Sequence, residues 1–592
     1  MENTNIMTAT EKQIGPKAHM EYSWSNDIRE KIFQFHFQLT RTNDLLYLEQ
    51  IACEILHTLR LYYSYYTYKE TTLYYMSLFY KMIGYTRDII DGKGEYTLTY
   101  MLIYVWNHYY PKLAIFALKT LFYLDDNTPY GSWKDIKYFC HYLVKKKGLA
   151  INHPLISYAI MLMTIELRKD YITFLSKDIP HHSKSYSLVS KWIPREKSNK
   201  FGWLFEELAC QFFHTKTAEN KKSELKYKIQ YRKIITVLNE QINTIQIKMC
   251  NQRWYEIDFR QVTSISLLKQ AYSFLNMTLN GVEKYDIEDR RVCRENFKDY
   301  IRKINNSEII RKREGTVGIG DLVKAAIMLN NLKDRHMPTP VNVWFEENVQ
   351  TLSDLLTILW REQDDPSYSN TFYKMIPIVD VSCEESYYVA IGIGLKIIEK
   401  SFIGKRMMIL GGIPKWVDLE DSVNLVDMIR KVQTIERGLN VDLYDALEKI
   451  TDVIIQSEMQ REDIKNMKFV ILSNWELDIK KENKETVYEN IQSMFKQIGC
   501  MPRILMWNLK STTGFPSVSL FQNVTMISGY NPRLLHLFCQ ENTFSSYALQ
   551  FTPWNFFVKS LKNKRYEILE KELLRYFEKT NETEENLELI LV

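Results

Sequence analysis

The eight cysteines of this chain fall into no binding or bridging pattern: Cys53, Cys140, Cys210, Cys250, Cys293, Cys383, Cys500 and Cys539 include no CxxC pair and no short spacing to histidine. Neither a zinc site nor a disulfide framework is therefore indicated, and reduced thiols in a reducing compartment fit best. A strong charge of either sign is also missing. The 77 basic and 72 acidic residues leave a net +5 over 592 residues, too close to balance for bulk electrostatics to recruit a nucleic acid or a membrane. Any basic surface must be local. Long uncharged apolar runs are absent too, the richest (Leu113 to Leu124) being short and broken by Lys119. The opening MENTNIMTATEKQ is polar where a secretory signal needs an apolar stretch. The expectation is a cytoplasmic protein without a membrane partner, with packaging into a particle as the alternative.

Enzyme signatures are missing as well: there is no Walker loop, no HExxH and no GxSxG. Gly392-Ile393-Gly394 falls inside a helical stretch and lacks the third glycine of a dinucleotide fingerprint, so close helix packing is the expected reason for it. His181-His182 stand without cysteine or carboxylate company, as solvated histidines do. Lys145-Lys146-Lys147 reads as a helix end answering its own dipole, with a phosphate contact as the lesser reading. No cofactor is expected.

What the chain does have is 45% hydrophobic and 25% charged residues, an ordinary balance for several globular domains. From Asp27 to Arg361 apolar residues recur at helical spacing between short polar breaks, among them Asn43 to Tyr66, Tyr96 to His108, Ser132 to Lys145, Pro154 to Leu167, Gly202 to Lys216, Leu225 to Met249 and Leu352 to Trp360. Such a succession predicts an all-helical array or α-solenoid, although no fixed repeat length is visible. The tyrosine-dense stretch Leu61 to Tyr80 is expected to pack between helices with its hydroxyls at the surface; base stacking is the rival reading. At Met375 the pattern changes. The runs IPIVDV, RMMILGG, KFVILS, RILMWNL and VTMIS alternate with helical segments, Glu385 to Ser401 and Glu485 to Ile498 among them, which predicts a mainly parallel sheet with helices on both faces. Trp554 to Lys579 reads as a basic amphipathic helix before an acidic tail. The expected division is a flexible stretch over 1–25, a helical region over 26–365, an α/β domain over 366–545 and a C-terminal helix and tail over 546–592.

The first α/β strand runs into Asp380-Val381-Ser382-Cys383-Glu384-Glu385-Ser386. This resembles the Asp-x-Ser-x-Ser loop of the metal-ion-dependent adhesion site of von Willebrand A domains, where a carboxylate and two hydroxyls meet magnesium. Two further loops of that site give a threonine and an aspartate. Here those positions fall on Val441 and Asn474, and the third position of the first loop is Glu384. A valine cannot ligate and an amide lacks the full charge that a hard cation demands, so the resemblance implies a degenerate site, empty or at most weakly magnesium-binding, around Asp380, Ser382, Glu384 and Asn474. The rescue reading has Glu384 or Asp442 supplying the missing carboxylate.

A wider resemblance rests on Thr86-Arg87-Asp88-Ile89 with Gly92-Lys93-Gly94-Glu95, on Tyr130-Gly131-Ser132-Trp133-Lys134-Asp135, on Lys191-Trp192-Ile193-Pro194-Arg195-Glu196-Lys197, on Tyr231-Arg232-Lys233 and on Ile527-Ser528-Gly529-Tyr530. In this order they resemble a family of large DNA viruses, plants and bacteria known as domain of unknown function 2828. The fold it implies is α plus α/β: a HEAT-like helical array similar to the TROVE module of the Ro ribonucleoprotein, then a doubly wound, Rossmann-like von Willebrand A domain. It also implies RNA binding by the array and, for a viral member, a virion or viral factory as the alternative location.

The physics of the motifs stands beside that resemblance. Arg87, Lys93, Lys134, Arg195 and Lys197 sit in Gly- or Pro-containing breaks at helix starts, where backbone N–H groups also favour anions. Trp133 and Trp192 add flat rings beside the cations, as single-strand binders do. The rival reading is structural, with Arg87 and Asp88, Lys134 and Asp135, and Arg195 and Glu196 forming loop-fixing ion pairs around core tryptophans. The leading expectation is a non-enzymatic protein whose array binds RNA or another single-stranded nucleic acid through Arg87, Lys93, Trp133, Lys134, Arg195 and Lys197, and whose A-type domain contacts a protein partner. The alternatives are a scaffold or virion protein with protein partners only and, further off, a hydrolase using Asp380 and Glu384.

Overall fold

The computed structural model describes residues 10–42, 44–124, 128–176, 184–214, 221–306, 317–336, 342–364, 374–438, 441–477, 485–535 and 552–591. The chain forms two compact units, each assembled from two separate stretches: Met1–Asp44 with Trp254–Asn563, and Leu45–Arg253 with Lys564–Val592. This departs from the division expected at residue 365, and both ends of the chain change sides. The opening residues join the unit that holds the sheet, and the last helix joins the helical unit.

The chain begins with a hairpin of β1 (Lys12–Ile14) and β2 (Met20–Tyr22), then α1 (Ile28–Gln38), which Asp27 caps by accepting the Glu30 N–H. Of the stretch expected to be flexible, residues 1–9 lie outside the described residues, and residues 10–25 hold this hairpin, with the buried pair of His19 and Glu21 in it. The main body of the helical unit follows: α2 (Leu45–Tyr63), α3 (Lys69–Arg87), α4 (Thr97–Tyr109), α5 (Pro111–Thr120), α6 (Lys134–Lys146), α7 (Pro154–Leu175), the short α8 (Val189–Trp192), α9 (Gly202–Phe212), α10 (Lys221–Gln241) and α11 (Ile245–Cys250). Prolines at the first position start α5 and α7, where the missing N–H costs nothing. The tyrosine-dense stretch is less buried than expected. Tyr80 is internal, but Tyr62, Tyr65, Tyr68 and Tyr74 are exposed.

Residues 254–361 were expected to extend the array but instead belong to the sheet-bearing unit. They supply α12 (Ser264–Phe274), α13 (Glu288–Asn305), α14 (Ile319–His336) and α15 (Val343–Arg361). The α/β elements follow as β3 (Met375–Asp380), α16 (Glu384–Ile398), β4 (Arg406–Leu410), β5 (Lys415–Asp418), α17 (Leu425–Gln433), α18 (Leu443–Gln456), α19 (Arg461–Asn466), β6 (Lys468–Ser473), α20 (Val487–Ile498), β7 (Arg503–Asn508), β8 (Val524–Ser528) and α21 (Pro553–Leu561). A six-stranded sheet runs in the order β5-β4-β3-β6-β7-β8, parallel except for the edge strand β5. Every residue of β3 and β6 is buried, so both faces of the sheet centre are covered. Gly392 explains why α14 belongs here: a Cβ on it would stand 2.8 Å from Ile319, and one on Gly394 would stand 2.8 Å from Val379 of β3. The Gly-Ile-Gly run thus lets α16 lie tight between α14 and the sheet, as its helical setting suggested.

The final helix, α22 (Glu567–Leu591), returns to the helical unit. Its backbone stays helical through the stretch expected as a tail. Leu569, Leu573 and Phe577 are buried one helical turn apart, Glu570 pairs with the buried Lys81 of α3 at 2.7 Å, and Arg565 just before the helix grips Asp88 with two nitrogens. His181, His182, Leu439 and Asn440 lie outside the described residues, and Pro532–Leu535 form a single 3-10 turn.

Candidate nucleic-acid interface

Two of the basic side chains expected at a phosphate surface are internal. Arg87 is 3% exposed and donates from Nε and Nη2 to Asp135, both at 2.8 Å, while Tyr100 adds a hydroxyl to the same carboxylate at 2.7 Å. Burial works to raise the Asp135 carboxyl, but the Arg87 guanidinium outweighs it and holds the group below the usual range. Arg87 is raised by the same pair, against its own burial. Lys93 is 2% exposed, and burial depresses its ammonium strongly while Glu95 opposes the shift. The backbone requires this loop to be tight. The Lys93 N–H bonds the Tyr85 carbonyl, the Glu95 N–H bonds that of Thr86, and a Cβ at Gly92 would lie 2.1 Å from the Tyr85 oxygen. The Thr86-to-Glu95 motif is therefore a folding device.

The expected ion pairs also form with other partners than the sequence neighbours: Arg87 with Asp135, Asp88 with Arg565, and Glu196 with Arg232 of the Tyr231-Arg232-Lys233 motif. Trp133 is not a free platform either. Its ring stacks on Phe122 at 5.4 Å and meets Tyr123 edge-on.

Lys134 behaves differently and marks the site. It opens α6, and its ammonium lies 5.4 Å from the Tyr96 ring, 5.3 Å from Tyr138 and 6.0 Å from Trp192. One turn on, Lys137 lies 4.9 Å from Trp192 and 5.5 Å from Phe201. Lys200 stands 5.3 Å from both Tyr138 and Phe201, and Lys191 is 5.9 Å from Trp192. Four ammonium groups are thereby interleaved with four rings, all within cation–π range. Arg195 and Lys197 stand exposed on the loop that joins Trp192 to Phe201. Among the described residues, none of these six cations makes a salt bridge.

Local structure accounts for the convergence. Tyr96, Trp133 and Phe201 are the N-cap residues of α4, α6 and α9, and none of them caps its helix with a side chain. The first turns of α4 and α9 also lack an acidic residue. The positive ends of these helices thus add to the lysine charge rather than being neutralised. The electrostatic strain is visible on the groups: burial lowers Lys137 and the neighbouring Lys134 lowers it further, and burial lowers Lys191. An anion placed here would offset the repulsion between Lys134 and Lys137.

The carboxyl edge of the sheet looks quite different. Asp380 ends β3 beside Ser473 of β6, at the crevice where the strand order reverses. Its Oδ1 accepts the Ser382 N–H at 2.9 Å and its Oδ2 the Ser473 hydroxyl at 2.7 Å, with the Asn474 backbone also turned to it. The carboxylate is 2% exposed and burial raises it, against these hydrogen bonds. Glu384 is exposed in the first turn of α16, Val441 is buried, and Asn474 bonds the Glu476 N–H. Asp442 caps α18 by accepting from the Asp445 N–H at 2.9 Å. Among the described residues no three of His, Cys, Asp and Glu gather as a metal would need. The Asp380 carboxylate is spent on holding the loops together, and Val441 offers no oxygen from its side chain, a donor set poorer than magnesium coordination uses.

Only part of the lysine face was marked by the sequence. Lys134, Trp192, Arg195 and Lys197 belong to it, but Lys137, Tyr138, Lys200, Phe201 and Tyr96 were passed over. The available signal was the spacing of Lys134, Tyr138 and His141, and of Lys137 and His141, on one stripe of α6.

Residues 374–573 match the model of domain of unknown function 7788. The helical motifs read above lie outside that match. An uncharacterised protein of Acanthamoeba polyphaga mimivirus is 22% identical over 493 residues, covering 79% of this chain and 77% of the relative. The crystal structure of the Deinococcus radiodurans Ro protein covers 87% of this chain and all of its own, at 8% identity and a TM-score of 0.32, too low to bear on fold or ligand. Among the described residues no helix is long and apolar enough to cross a membrane. The chain is thus similar along most of its length to an uncharacterised viral protein, and over residues 374–573 to a domain of unknown function.

Proposed function

We propose that the helical unit binds single-stranded RNA, without catalysis, on the face formed by Lys134, Lys137, Lys191 and Lys200 with Tyr96, Tyr138, Trp192 and Phe201. The carrying observation is that these ammonium groups have rings for neighbours and no carboxylate partners among the described residues. A structural lysine is ordinarily neutralised or left free in water. A set held against rings, beside uncapped helix starts, suits a ligand with both phosphates and flat bases. Arg195 and Lys197 extend the positive edge. The sheet-bearing unit, von Willebrand A-like in this reading, serves as a metal-free platform for a protein partner.

The test is fluorescence anisotropy with a labelled single-stranded RNA of about 16 nucleotides, the upper site size of one binding fold, across a salt series. Binding should weaken as salt rises, and the K134E/K137E/K191E/K200E variant should flatten the log–log slope by about 3, at ~0.7 per phosphate contact. W192A should weaken binding roughly 5- to 150-fold, the loss of one stacked base. Salt-insensitive or absent binding would favour the scaffold reading, in which both units engage only proteins.

A further inference from the structure

We infer that occupation of the lysine face by a phosphate-bearing ligand is coupled to protonation of His141, so that the face binds more tightly as pH falls below neutrality. This rests on the reading of the face as an anion site and adds its regulation.

His141 lies on α6 one turn beyond Lys137 and Tyr138, on the same stripe as Lys134 and Lys145. Its ring meets Phe201 edge-on at 5.4 Å, and Phe201 is the ring shared by Lys137 and Lys200. Its Nδ1 is buried without a hydrogen-bond partner among the described residues. The charges that bear on it are all positive: Lys200 from the loop before α9, and Lys145 and Lys146 from its own helix.

In the free protein these surroundings disfavour the imidazolium. Burial lowers it first, and Lys200 and Lys145 lower it further, while the Lys200 backbone partly opposes them. A bound phosphate chain reverses the local field, because its charge screens those same lysines and favours the imidazolium. The sign follows by linkage. If the bound state holds the proton more tightly than the free state, affinity is enhanced below the bound-state pKa and the enhancement is lost as pH rises through it. One proton taken up gives a change approaching tenfold in Kd per pH unit between the two pKa values. Lys137 and Lys191 are depressed too, but from the much higher ordinary lysine value.

The experiment measures Kd of the full chain for the same single-stranded RNA from about pH 5.5 to 8, a span that brackets the ordinary histidine pKa, at fixed ionic strength, with His141→Gln beside the native protein. Calorimetry at the lower end, in two buffers of different ionisation enthalpy, counts the protons taken up. The inference expects the native Kd to fall severalfold on acidification with net proton uptake, and H141Q to bind as the native protein does at high pH while losing both effects. RNA binding that is independent of pH, or an uptake that survives in H141Q, overturns the proton coupling and leaves the RNA reading standing. Absence of RNA binding at every pH removes both. Should H141Q fail to fold, the buffer-dependence of the native protein decides, since zero proton uptake excludes the coupling by itself.

Discussion

Arg87→Ala separates a folding residue from a binding one. Arg87 and Asp135 are both essentially buried, with two nitrogen–oxygen contacts at 2.8 Å. Removing the guanidinium leaves the carboxylate with the Tyr100 hydroxyl and the N–H and hydroxyl of Ser132 as its donors, short of a compensating charge. Breaking one side of a buried pair costs about 3–5 kcal/mol. For a unit of this size, each kcal/mol moves the midpoint by roughly 2–4 °C, so the helical unit should melt on the order of 10 °C earlier. The assay is calorimetry, with RNA affinity measured well below the lowered transition. A large thermal loss with unchanged affinity is expected. The double variant Arg87→Met/Asp135→Leu should recover part of the loss, because an apolar replacement of both partners leaves no orphaned charge. An unshifted melt together with weakened RNA binding would refute the reasoning and return Arg87 to the ligand surface.

Three further outcomes follow from particular contacts. Glu30 is fully buried against Ser519 and burial pushes it up to about 7, so its contribution to stability is full below the ordinary value of 4.5 and lost as pH rises through 7. Glu30→Gln should therefore stabilise the sheet-bearing unit at pH 8, by up to roughly 3 kcal/mol in urea unfolding, and a destabilised variant would contradict the buried, proton-hungry carboxyl. Magnesium titration should give no tight isotherm, and Asp380→Ala should lower the melting temperature through lost loop hydrogen bonds without changing magnesium uptake; a tight isotherm abolished by that substitution would restore the metal site. Deleting residues 564–592 removes the Arg565–Asp88 pair and the burial of Leu569, Leu573 and Phe577, worth roughly 5–9 kcal/mol in apolar terms. Limited proteolysis should then open the stretch 45–253, and continued resistance there would deny α22 its place in that unit.

The strands were legible because each is a short, nearly continuous apolar run: KFVILS is β6 and VTMIS is β8, residue for residue. The β5 edge strand, KWVD, was not, since its four mixed residues face solvent on one side. Helix α13 was missed for a related reason. Its core stripe of Cys293, Phe297 and Ile301 is spaced one turn apart, yet it is embedded among charged residues that dominate a local reading. The exchange of the chain ends between units was invisible, because helical periodicity says that a face is buried and not against what. For the site, charge and ring content pointed to the right loops, but whether a cation faces inward depends on a distant partner. Asp135 lies 48 residues from Arg87, and Arg565 lies 477 residues from Asp88. Lys134 and Arg87 look alike in sequence, and only the position of a carboxylate distinguishes them.

RNA is proposed to meet this protein on the lysine face of the helical unit. Ultraviolet crosslinking of bound RNA, followed by mass spectrometry of the crosslinked peptides, reads the contact directly. Crosslinks on peptides holding Tyr96, Tyr138, Trp192 and Phe201, which disappear at high salt, are the predicted result. Crosslinks confined to residues 374–535, or the same yield in K134E/K137E/K191E/K200E as in the native chain, would contradict it.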